Sequence, residues 1–144
     1  MHQDTPTGPA PGFEPVDIGG AFATHNGPLH ARWLEGHLQL GFRVGPQHVN
    51  PGNQCHGGML GMFADILISS AAQYQTDIPR TFLPTISLQS DFLAPAPLGS
   101  WVQGQAEILK VTRTLVTPVS ALGTAAVTRG PLESSGGVPL FSAL

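Results

Sequence analysis

In residues 37–44 the apolar side chains Leu38, Leu40, Phe42 and Val44 occupy alternate positions, the period of a strand with one buried face. A partly alternating apolar run at 29–34 precedes it, and Glu35-Gly36 between them is a two-residue hairpin signal. Residues 45–56, GPQHVNPGNQCH, are loop by their Gly, Pro and Asn content. The period then changes. Residues 58–74, GMLGMFADILISSAAQY, contain no proline and mostly small or apolar side chains, Asp65 and the last residues aside. They predict a helix apolar on nearly every side, and such a helix must be buried. Residues 81–93, 100–112 and 115–122 read as strands, with APAPLG at 94–99 as the first connection. A buried helix among strands predicts an α+β fold in which a sheet wraps the helix.

Residues 1–20 carry four prolines and four glycines, a composition that cannot propagate a helix or a central strand, so an irregular N-terminal arm is expected there. The remaining residues, 21–144, are one domain by length. Pro118 falls where a continuing central strand would need its N–H, which leaves the end of the sheet after residue 117 open.

Only 10% of the 144 residues are charged, against ~25% in an ordinary soluble domain, so part of the surface is expected to be covered by a second copy of the chain. The net charge of −3 and the absence of a basic run argue against nucleic acid as a partner. The start, Met1-His2-Gln3-Asp4, has no leader pattern, and the best apolar stretch is short and interrupted by Asp65, so a cytoplasmic protein without a membrane partner is expected. The single cysteine, Cys55, excludes an intrachain disulfide and a cysteine-rich zinc site, while His25, His30 and His37 lack metal-ligand spacing; no metal is expected. There is no GxSxG elbow, P-loop or GxGxxG fingerprint, so triad hydrolases, kinases and dinucleotide enzymes drop out.

Asp65 stands out because a carboxylate inside an apolar helix costs several kcal/mol unless it is paired, hydrogen-bonded or lining a cleft. Two readings are open: a core partner such as Ser69 at i+4, or a catalytic base or nucleophile. His56-Gly57-Gly58 lies where the loop becomes the helix, so first-turn N–H groups are available to a ligand with the positive end of the helix dipole behind them; the bland alternative is a glycine-rich turn. Gly57 and Asp65 are eight residues apart, ~12 Å of helix rise, too far to touch one carbonyl group. If both are catalytic, the helix start of one subunit must face Asp65 of another across a two-fold interface. Cys55 adjoins His56, but neighbours in an extended segment point opposite ways, so a Cys–His nucleophile pair is not expected.

The string Asn50-Pro51-Gly52-Asn53-Gln54-Cys55-His56-Gly57-Gly58, with Asp65 nine residues after the histidine, resembles the N-x-x-G-x-x-H-G-G loop and helical acid of the hotdog-fold acyl-CoA thioesterases of the phenylacetate-degradation type. DFLAPAPLG at 91–99 resembles that family's turn after a strand, and KVTRTL at 110–115 its next turn, so the match covers about residues 27–117. The resemblance implies a hotdog fold, an antiparallel sheet around one long central helix, in dimers or dimers of dimers. It implies Asp65 as general base or nucleophile, the Gly57 N–H as oxyanion donor, Asn50 and His56 as loop residues holding the thioester or water, and Thr85 as a water-orienting hydroxyl.

Asn53 stands where the motif has its middle glycine, and Asn reaches the left-handed region more readily than most residues. Substrate contacts are expected from Gly58, Met62 and Phe92, with Arg80, Lys110 and Arg113 as candidates for the CoA phosphates; the apolar acyl-pocket candidates Met59, Met62, Phe63 and Phe92 each suit plain core better than a pocket. The expected activity is hydrolysis of a small aryl- or acyl-CoA thioester with no cofactor beyond the coenzyme A of the substrate. The alternatives are a non-catalytic acyl-CoA-binding module and a hotdog hydratase or dehydratase, whose D-x-N-x-x-H spacing is absent from this chain.

Overall fold

The computed structural model describes residues 7–79 and 82–112 and, further on, the short strands Val116–Thr117, Ala126–Thr128, Val138–Pro139 and Phe141–Ala143. In chain order the elements are β1 (Glu14–Val16), α1 (Gly20–Asn26), β2 (Leu29–Leu34), β3 (His37–Arg43), α2 (Gly57–Gln75), β4 (Ser90–Phe92), β5 (Trp101–Gln105), β6 (Lys110–Val111) and β7 to β10, the four short strands just named. Six strands form an antiparallel sheet in the order β1-β2-β3-β5-β8-β9, while β4 pairs with β10 and β6 with β7. The class is α+β, with α2 packed against β3 and β5.

The expected hairpin is present: β2 and β3 pair from His30↔Gly41 to Leu34↔His37. Glu35 and Gly36 both have positive φ, 51° and 80°, as a two-residue turn that follows the strand twist requires. The alternating residues of β3 and its exit, Leu38, Leu40, Phe42 and Val44, are all buried and share one core with Leu60, Phe63, Ala64, Leu67 and Ala71 of α2. At 19 residues, α2 extends the expected 58–74 by one residue at each end.

Three expectations are corrected. The arm is not irregular throughout: β1 pairs with β2, Pro15 opposite His30, at the edge of the sheet, the position where a strand tolerates proline. Ala10 and Phe13 are buried with Trp101 on the outer face of the sheet. The strand expected over 81–93 is reduced to β4; residues 82–89 carry no strand, and Phe82 and Ile86 are more than 80% exposed. Apolar alternation states which side chains want a common face but supplies no neighbour for the backbone N–H and C=O groups, and within one chain the partner reaches only 90–92. The strand expected over 100–112 is broken into β5 and β6, with 106–109 outside any ladder. Of 115–122, Val116–Thr117 is strand and the other residues lie outside the described ones. Helix α1 had no predicted counterpart, because GAFATHN is too short to show a helical period.

On the outer face, Gly41 of β3 lies under the Trp101 indole: a Cβ at Gly41 would stand 2.3 Å from Trp101 Cζ2. The indole is held edge-on by Phe13, centroids 5.1 Å apart, so it has no room to retreat. We expect Gly41→Ala to destabilise the protein by about 1–3 kcal/mol, read as a lower urea midpoint at unchanged slope.

His30 of β2 is buried beside Trp101, centroids 5.7 Å apart, and its Nδ1 has no hydrogen-bond partner among the described residues. Burial pushes its pKa below the ordinary 6.5, and a backbone hydrogen bond to Gly41 opposes this only in part. The unfolded chain therefore takes up the proton first as pH falls, so stability present at neutral pH declines below 6.5 towards the folded-state value. Urea midpoints measured at about pH 7 and about pH 5.5 should fall with pH, and His30→Gln should reduce the fall.

Candidate active site

The loop before α2 is built by its own side chains. Asn50 Oδ1 accepts the N–H groups of Gly52 at 2.9 Å and Gln54 at 3.2 Å, and the Asn50 carbonyl accepts the Asn53 N–H at 2.9 Å. Asn53 has φ 61°, the left-handed conformation that glycine would take more freely and asparagine tolerates. Asn50 is thus a loop-shaping residue whose side-chain oxygen is already occupied. On its far side the loop meets the 91–99 turn: Cys55 N–H donates to Ala96 O at 2.7 Å and Leu98 N–H to Asn53 O at 3.2 Å.

His56 is the N-cap of α2. Its extended backbone conformation ends the loop, and its Nδ1 accepts the Gly58 N–H at 2.8 Å. With Nδ1 accepting, the neutral ring carries its proton on Nε2, and His56 is exposed. The main chain of His56 donates to His48 O at 2.7 Å, while its carbonyl accepts from Met59 and Leu60. Gly57 is the first helical residue, whose N–H a helix start leaves without an intrahelical acceptor. The half-exposed ring of Phe92 lies against the open side of Gly57; a Cβ there would meet it at 3.5 Å.

Two turns further along, Asp65 is half-buried, and its Oδ1 accepts the Thr85 hydroxyl. Ser69 does not serve the carboxylate; its Oγ donates to the main-chain carbonyls of Asp65 at 3.0 Å and Ile66 at 3.1 Å. The structure therefore brings Asp65 and Thr85 together as one pair, and Asn50, His56, Gly57, Gly58 and Phe92 together around the helix start. Met62 is half-buried between these groups in sequence, and Met59 and Phe63 are core. Arg80 and Arg113 lie outside the described residues. Lys110 lines a cavity of about 420 Å³ with His37, Gln75, Thr76 and Glu107 at the C-terminal end of α2, ~27 Å of helix from Gly57. Among the described residues no three His, Cys, Asp or Glu side chains converge as metal ligands, and no helix is long and apolar enough to cross a membrane.

His48 is a residue that the sequence does not mark. The polar composition of 45–56 places it in solvent and no spacing singles it out, yet it is buried.

Residues 52–117, from the loop through α2 to β7, match the model of the Thioesterase superfamily. Over this segment, less than half of the chain, the protein is similar to the thioesterase superfamily. This match and an esterase relative support a thioester hydrolase by class. The chain is 27% identical over 101 residues to the Pseudomonas aeruginosa protein PA0474, named as an inferred esterase, covering 69% of this chain and 75% of that one. The structure is similar to that of a Streptococcus pneumoniae hypothetical thioesterase solved with coenzyme A, with a TM-score of 0.60, 17% identity and 84% and 85% of the two chains covered. It is also similar to the Escherichia coli PaaI protein of the phenylacetic acid degradation operon, with a TM-score of 0.56, 18% identity and coverage of 80% and 74%. At these identities the likenesses show the fold, the hotdog arrangement of an antiparallel sheet around a long helix.

Cys55 is buried beside this site, and burial pushes its thiol up to about 12, so no nucleophilic thiolate is present near neutral pH. A thiol-reactive dye should modify Cys55 at least ~10²-fold more slowly in the native protein than in denaturant, with no rapid native phase.

Proposed function

We propose that this protein hydrolyses a small aryl- or acyl-CoA thioester at sites formed between two copies of the chain. One protomer supplies the start of α2 and the other supplies Asp65. The observation that carries this reading is the pairing of Asp65 with the Thr85 hydroxyl on a helix whose first N–H lies ~12 Å away along the axis. A half-buried carboxylate with an aligned hydroxyl suits base or nucleophile work, yet it cannot reach a carbonyl held at Gly57 of its own chain. The exposed apolar side chains Phe82, Ile86, Phe92 and Leu93, in a chain with so few charges, support a second copy covering this side.

In this reading the thioester carbonyl oxygen accepts the Gly57 N–H, where the helix start stabilises developing negative charge. Asp65 of the partner takes a proton from water as the water oxygen bonds to the carbonyl carbon, or attacks that carbon itself and is freed by water afterwards. The tetrahedral intermediate collapses by breaking the C–S bond; in the base route the proton taken from water passes to the departing thiolate, and in the nucleophile route the thiolate takes a proton from solvent, which regains one when water cleaves the acyl–Asp65 anhydride. The thiolate leaves readily, so no Ser-His-Asp triad is needed. Thr85 orients the carboxylate, His56 offers its Nε2–H towards the bound thioester, and Asn50 maintains the loop. Arg80 and Arg113 remain the proposed contacts for the CoA phosphates, with Met62 and Phe92 beside the acyl group. The compartment expected for such a substrate is the cytoplasm.

The experiment is release of free thiol from a panel of acyl-CoA esters by the native protein and by Asp65→Asn. Native turnover with a loss of ~10² or more in kcat for the variant, at unchanged oligomeric state, is the expected result. Native turnover that Asp65→Asn leaves intact overturns the mechanism, and binding of acyl-CoA without hydrolysis would assign a binding module instead.

A further inference from the structure

His48 is 2% exposed, and both of its ring nitrogens are engaged with backbone. Nδ1 accepts the Gly45 N–H at 2.9 Å, at the exit from β3, and Nε2 lies 2.5 Å from the carbonyl of Asn26, the last residue of α1. Since Nδ1 accepts, the proton is on Nε2 and is donated to Asn26, so a single neutral tautomer satisfies both bonds. The ring stands edge-on to Phe42, centroids 5.3 Å apart, and Phe42 packs at 5.1 Å on Phe63 of α2. The neighbouring Gln47 repeats the tie to the end of α1, its Nε2 donating to Gly27 O at 3.2 Å.

The carbonyl of this clamped residue accepts the His56 N–H at 2.7 Å, immediately before Gly57. Any residue at 48 could offer a carbonyl. What the imidazole adds is the location of that carbonyl, because its two ring bonds and its stacking tie residue 48 to α1, β3 and the core at once. We infer that His48 is the positioning residue of the active site: through His56 it sets where α2 begins and where the Gly57 N–H points. The inference rests on the thioesterase reading for its kinetic consequence, although not for its structural one. A donor misplaced by about 1 Å costs on the order of 10²-fold in rate while the remote contacts that bind substrate persist.

The test uses three variants of the full chain. His48→Phe keeps the packing on Phe42 and loses both ring bonds; His48→Asn places an acceptor near the Nδ1 position; His48→Gln reaches towards Asn26 with a donor. For each, the amide resonances of Gly57 and Gly58, the melting temperature and the kinetics of thiol release are measured. We expect the Gly57 and Gly58 amides to shift in His48→Phe, with kcat down ~10-fold or more and KM within about twofold, and Asn or Gln to restore part of kcat. If His48→Phe does not fold, the Asn and Gln variants decide by the same measures. Unmoved Gly57 and Gly58 amides, or a kcat loss that only follows the loss of folded protein, would overturn the inference. Absence of turnover in the native protein would instead overturn the thioesterase reading, and the amide shifts would still judge His48.

Discussion

Everything in this protein is arranged around burial of α2, and burial alone leaves α2 underdetermined. Its side chains Leu60, Phe63, Ala64, Leu67 and Ala71 pack on Leu40, Phe42 and Val102 of the sheet, each large one contributing about 1.5–3 kcal/mol. That attraction is non-directional, and a helix apolar on nearly every side could slide or turn with little loss. Hydrogen bonds at the two ends remove this freedom. At the start His56 donates to His48 and accepts from Gly58; at the finish Gln75 accepts the Leu38 N–H at 2.9 Å and donates to Ala106 O at 3.0 Å. The Gly57 N–H and the Asp65 carboxylate inherit their positions from those two anchors.

The sheet between has two differently built faces. The inner face is the shared core with α2, whereas the outer face carries a small second cluster in which Trp101 lies over Gly41 and under Phe13. Two of the chain's six Lys and Arg residues hold the N-terminal segment over this face. Arg43 donates from Nε and Nη2 to Gly8 O at 3.1 and 2.7 Å, with its guanidinium 5.4 Å from the Trp101 ring centre. Arg32 donates to Pro11 O at 3.3 Å and sits 4.6 Å from the Phe13 ring centre. Planar guanidinium groups serve this purpose because they stack on a ring and still present N–H donors in their own plane.

On the opposite side, Asp65 illustrates how a functional group is tolerated in an apolar helix. Its carboxylate is only half-buried and has the Thr85 hydroxyl, so the several kcal/mol of an isolated buried charge are avoided. The residues that carry Thr85, from Phe82 to Gln89, have no ladder within the chain and expose Phe82 and Ile86. The segment that completes the proposed site is thus one that forms no strand ladder among the described residues, and in the proposed mechanism this links assembly to chemistry.

The amino-acid sequence by itself determined the features that depend on a few adjacent residues. The hairpin turn at Glu35-Gly36, the extent of α2 to within a residue at each end, the left-handed Asn53 and the placement of His56-Gly57-Gly58 at a helix start are all of this kind. Each follows from backbone dihedral preference or from a hydrophobic period, which neighbours in the chain set between them. Only the tertiary structure decided that β1 would pair at the sheet edge, that 81–93 would be strand only at 90–92, that Thr85 rather than Ser69 would meet the Asp65 carboxylate, and that His48 would be buried. In those cases the outcome depends on which distant surface offers a hydrogen-bond partner or excludes water, and composition and period along the chain do not encode that distance.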